Sequence, residues 1–241
     1  MMSWLVVLAA LLAPDDPEVS AALEKFKTDF KNRDVGARVA AVTELAKTQN
    51  DKVLVKLGSL LVVDEVDVRI AAAKGFDQQK ENKRKASLAL AGAITPNLSL
   101  IPVAVAILEE LGLLQEETIA PEVEKHFAKN EPLDIQKAAI TASGKIRSVT
   151  SIDPLIHLLK ELELEAQQSQ GRGGGKIKGL GGKGGGGGAL KSGNAADRDR
   201  ASELLPAVRG SLASITKTNC PDAKDWEAWW NEHKATFKVE K

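Results

Sequence analysis

A chain of 241 residues is long enough for one elongated domain or two compact ones. Tyrosine is absent and aromatic residues make up only 4% of the chain, which disfavours strands, because strands draw on aromatic and β-branched side chains. Lys+Arg and Asp+Glu both total 33, and residues 171–193 hold five of the cations and no acid, so the rest of the chain carries −5. A mildly acidic body excludes a nucleic-acid footprint outside that one stretch. The single cysteine, Cys220, excludes an intramolecular disulfide and a cysteine-built metal cage.

The first residues, "MMSWLVVLAALLAPDDPE", contain an apolar run from Trp4 to Ala13 that is too short to span a bilayer as a mature helix. Ending on a small residue and followed by acidic, proline-bearing sequence, residues 1–13 read as an export signal. Cleavage would place the protein in a periplasmic or extracellular space with no stable membrane span, and retention of the run would leave it cytoplasmic. A buried first helix is the competing reading, because no Lys or Arg precedes the run and Pro14 follows it.

Asp16-Pro17-Glu18 then marks a helix start, with Asp16 as the cap and Pro17 in the first helical position. Val19, Leu23, Phe26 and Phe30 recur at spacings of three and four, which makes one apolar stripe. From Asp34 onward short helical patterns follow one another, separated at Asn50-Asp51, Asp64, Thr95-Pro96, Gln115, Glu131-Pro132 and Ser151. No segment alternates apolar and polar residues long enough for a strand, so the expected fold is all-α.

These helices resemble one another. "ARVAAVTELA" from Ala37, "VRIAAAKGFD" from Val68, "VAVAILEELG" from Val103 and "IQKAAITASG" from Ile135 align on Arg38, Arg69, Ala104 and Gln136. Three, four and seven positions after each comes an apolar or small residue: Ala41, Val42 and Leu45; Ala72, Ala73 and Phe76; Ile107, Leu108 and Leu111; Ala139, Ile140 and Ser143. Spacings of 31, 35 and 32 residues fit one helical hairpin per repeat, and such a unit buries its apolar face only against neighbours. A fifth unit is read from Asp197-Arg198, about 30 residues late, the excess being supplied by the glycine-rich stretch.

The pattern is similar to the HEAT repeat and its bacterial exported HEAT-like relatives, most clearly over residues 34–168. The resemblance implies a short right-handed α-solenoid of about four to five hairpins, with residues 16–169 as its main body. It also implies that Asp67 and Arg69, matching the family's Asp-x-Arg signature, form part of a structural ladder between repeats. Arg38 matches the basic position and Asp134 the acidic one, whereas Gly36 and Gln136 depart from the signature.

Residues 170–194 include thirteen glycines between 171 and 193. Gly-Gly-Gly-Gly-Ala-Leu-Lys-Ser at 185–192 is no phosphate loop, because Leu190 stands where a glycine belongs and no strand precedes it. Two readings remain: a disordered insertion without a ligand, or an arm that holds an anionic polymer through Arg172, Lys176, Lys178, Lys183 and Lys191 as point charges. Residues 195–241 form the last repeat. There Trp226, Trp229 and Trp230 fall on one helical face, as a helix covering the open end of a stack requires; an exposed aromatic platform is the alternative.

His126, His157 and His233 fall on separate helices without metal-binding spacing, and no catalytic constellation or cofactor motif is legible. The expectation is a non-enzymatic scaffold that meets an unidentified protein partner through one face of the solenoid. The alternatives are an anionic glycan or nucleic acid bound by the basic stretch, or a HEAT-like enzyme of the bilin-lyase or DNA-glycosylase type.

Overall fold

The computed structural model describes residues 16–171 and 193–239. The expected signal at 1–13 and the anion-binding reading of Arg172, Lys176, Lys178, Lys183 and Lys191 lie outside those residues. Among the described residues every regular element is helical and no strand occurs. No helix among the described residues is long and apolar enough to cross a membrane. The chain divides into two compact units, residues 1–110 and 111–241.

The first unit contains α1 (Pro17–Asp29), α2 (Val35–Ala46), α3 (Asp51–Val63), α4 (Val66–Gly75), α5 (Lys83–Asn97) and the start of α6 (Ile101–Leu114). Side-chain caps fix where these helices begin. Asp16 accepts from the Glu18 amide, Asp34 from that of Ala37 and Asn50 from that of Lys52, each satisfying a donor that the helix itself leaves open. Pro96 does not separate two helices as its sequence position suggests; it sits in the last turn of α5, which runs on to Asn97. The core is built from Leu57, Leu61, Phe76, Leu90 and Ile94. The repeat positions Ala41, Val42, Leu45, Ala72, Ala73 and Phe76 are all buried, so the periodicity marks the core face.

The second unit contains the end of α6, the short α7 (Ala120–Glu124), α8 (Leu133–Ile146), α9 (Ile152–Gly171), α10 (Gly193–Thr216) and α11 (Ala223–His233). Gln115, Arg147 and Lys217 take left-handed φ values of 53°, 58° and 58°, and stop α6, α8 and α10. The repeat positions Ala139, Ile140 and Ser143 are buried here too. Helices α8 and α10 meet without room for a side chain at Gly144, where a Cβ would stand 2.8 Å from the Ser211 Cα. Ser211 and Ser214 seal the same contact by donating to the carbonyls of Ile140 and Gly144. Gly144→Ala therefore forces two backbones apart. Although alanine gains about 1 kcal/mol of helix propensity, the overpacking of about 1–3 kcal/mol outweighs it. Urea denaturation should show a net loss of stability.

Candidate functional site

Polar side chains join successive helices, through partners that the sequence signature does not indicate. Arg38 meets the Asp64 carboxylate at 2.7 Å and the Glu65 carboxylate at 3.9 Å. Arg69 donates to the Asp64 carbonyl through Nε and to Asn97 Oδ1 through a terminal nitrogen. Asn97 in turn donates to the Leu61 and Ala93 carbonyls. Gln79, wholly buried, donates to the carbonyls of Ala46 and Thr48 and accepts from the Asn50 amide. It thereby closes the α2–α3 turn. The two acids of the signature stand elsewhere: Asp67 and Asp134 lie exposed in the first turns of α4 and α8.

The second unit repeats the device around Gln136 and Arg200. Gln136 donates to the Glu131 carbonyl, five residues back, as Arg69 does to that of Asp64. Its Oε1 accepts from Arg200 Nε, and Arg200 also meets the Glu165 carboxylate at 2.8 Å. Arg200 is the arginine that makes this link, two residues beyond the Arg198 chosen from sequence. Lys129 bridges Glu165 and Asp197 at 2.8 Å each. Its hydrogen bonds, first to Asp197 and then to Glu165, hold its ammonium group above the ordinary lysine range. Glu165 and Asp197 lie near the two ends of the segment between α9 and α10, so these charges tie the helices on either side of the glycine-rich stretch.

The C-terminal helix α11 packs on α9. Trp226 is fully buried and Trp230 nearly so, the latter donating through its indole nitrogen to Asp153 at 2.8 Å. Trp229 is only half-buried. Its ring stacks on His233 at 4.7 Å and meets Trp226 edge-on at 5.9 Å. Two of the three rings are thus packing groups, and the third joins an aromatic cluster at the surface.

The other titratable candidates are held in local interactions. His126 Nδ1 lies 3.2 Å from Glu131, the exposed His157 lies 3.7 Å from Glu161, and His233 Nδ1 contacts the Trp229 carbonyl. Burial, reinforced by Asp225 and Asp222, pushes the Cys220 thiol up, so little thiolate forms near neutrality. Among the described residues no group of three His, Cys, Asp or Glu side chains is placed to hold a metal ion.

A concave surface in the first unit lies between α2 and α4. These helices run parallel. Arg38 near the start of α2 meets the residues just before α4, while Gly75 ending α4 lies against Ala46 ending α2. A Cβ on Gly75 would approach the Ala46 Cβ to 2.8 Å, so glycine sets the close approach at that end. The resulting trough encloses about 450 Å³, within the range of about 300–1,000 Å³ typical of binding pockets. Val39, Ile70, Ala71 and Ala46 give it apolar walls, with Asp67 towards the start of α4 and Lys47 and Lys74 towards the ends of the two helices. Periodicity could have located Val39 and Ile70 as apolar positions, but not shown that they stay partly exposed among the described residues.

A second apolar surface lies between α3 and α5, where a Cβ on Gly58 would stand 4.0 Å from the Ala89 Cβ and Lys85 pairs with Asp51. Val55, Val62 and Leu88 are 70%, 41% and 55% exposed there. The chain matches no protein-family model, and no curated protein is significantly similar to it.

Proposed function

We propose that the protein is a non-catalytic, HEAT-like interaction scaffold, in which stacked hairpins hold a partner-binding trough between α2 and α4. The observation that carries this reading is the trough itself. Among the described residues Val39, Ile70 and Ala71 remain partly exposed in it, and the close approach of Gly75 to the Ala46 Cβ sets its shape. The repeat spacing and the polar links made by Arg38, Arg69, Gln136 and Arg200 support the solenoid, because each takes part in a link between segments more than twenty residues apart in the chain. In such an architecture each helical pair is stabilised by its neighbours and the surfaces between pairs are left for ligands.

Ile70→Asp tests the proposal. Ile70 is half-exposed, so a carboxylate there stays hydrated in the free protein but loses its water when a partner covers the trough. Quantitative affinity purification should show a defined protein retained by the wild type and lost with Ile70→Asp, at unchanged helix content. Identical retained sets would contradict the reading.

A further inference from the structure

We infer that the occupant of the α2–α4 trough is an amphipathic helix lying antiparallel to both walls, with an acid at its N-terminal end and a base seven residues later. This rests on the proposed docking role of the same trough and adds the chemistry of its partner.

The walls decide the backbone of the occupant. Val39, Ala46, Ile70 and Ala71 offer no hydrogen-bonding side chain, and the Thr43 hydroxyl already donates to the Val39 carbonyl. An extended peptide pressed against that stretch would bury most of its amide and carbonyl groups without partners, because the neutral polar side chains of the trough are only Thr43 and, just beyond the end of α4, Gln78. A helix pairs its own backbone groups and presents only side chains, which is the helix-in-groove mode of recognition. Two parallel helices with an apolar trough between them also accept a third by ordinary helix packing.

The charges, together with the occupant's own helix dipole, decide its direction. Asp67 and Lys74 are seven residues apart on α4, about 10 Å along its axis. Both are exposed, and neither has an ion pair among the described residues. Lys47, beside Lys74, is held by Glu44, which leaves Lys74 as the available cation. An occupant complementary to this pattern puts its acid at Lys74 and its base at Asp67. Placing the acid first in the occupant's sequence makes it run antiparallel to α2 and α4. The acid then also faces the positive end of the occupant's own helix dipole. Apolar residues three and four positions after the acid fall on the same face, over Ile70 and Val39.

The test uses the full-length chain and two synthetic helical peptides. One carries Glu at its first contact position, Leu three and four residues on and Lys seven residues on; the other has Glu and Lys exchanged. Binding is followed through the backbone amide shifts of Val39, Thr43, Ile70 and Ala71. Held antiparallel, the exchanged peptide meets two repulsions, and turned round to restore the attractions it carries its lysine at the positive end of its own helix dipole, so the wild type should bind the Glu-first peptide severalfold more tightly. A nitroxide on the N-terminus of the Glu-first peptide should broaden the Ala46 amide in the wild type and the Val39 amide in the double variant Asp67→Lys/Lys74→Glu, at unchanged helix content, and the same amides broadened in both would overturn the inference. Equal affinity for both peptides would overturn the inference while leaving the trough a docking surface. Absence of shifts with either peptide would overturn it together with the docking role. Concentration-dependent shifts of the same amides in the chain alone would assign the trough to a second copy and overturn it as well.

Discussion

Replacing Trp226 with alanine is expected to lower the unfolding free energy by about 3–5 kcal/mol, the range for deleting a large buried aromatic side chain. The ring is fully buried in the helix that packs on α9, and its removal leaves a cavity between elements that cannot close freely. Trp226→Phe should cost much less, because it keeps a ring and removes an indole N–H that has no partner among the described residues. Trp229→Ala should also cost less than Trp226→Ala, since that side chain is already partly in water. Chemical denaturation of the three variants checks the order. A loss at Trp229 equal to that at Trp226 would mean that the cap is packed differently.

Arg200→Ala should cost about 3 kcal/mol or more, because removing one member of a buried charge pair leaves its partners uncompensated. Its side chain is 9% exposed and that of Glu165 16%, and the Gln136 amide oxygen loses its donor at the same time. Lys129 still reaches Glu165, so the loss falls at the lower end of the range for such pairs. Combining Arg200→Ala with Glu165→Ala should recover part of the loss, since the second change removes the stranded carboxylate. Strictly additive losses from denaturation curves would show that the two groups do not interact.

The helical class and the core faces were legible because both follow from periodicity. Ala41, Ala72 and Ala139 lie where a repeat of small residues predicts close helix contact, and all are buried. The partners of the arginines were not legible, for a geometric reason. Asp67 and Arg69 are two residues apart, and on a helix such positions point to different sides. The carboxylate that reaches Arg38 comes instead from Asp64, in the turn before α4, where the extended backbone frees it from helical spacing. Gln79 and Asn97 left no sequence signal either, because a polar residue that serves a distant turn looks like any surface residue until the chain is folded. The trough posed a different problem. Val39 and Ile70 have the spacing of core residues, and only the packing of α2 against α4 shows them partly exposed among the described residues.

The central claim is that the α2–α4 trough receives a partner protein. The most direct measurement places a photoreactive benzoylphenylalanine at Ala71, inside the trough, and for comparison at Arg84, exposed on α5. After irradiation in living cells, the probe at position 71 should give one discrete protein adduct that Ile70→Asp suppresses and that position 84 does not give. No adduct from position 71, or the same adducts from both positions, would contradict the claim.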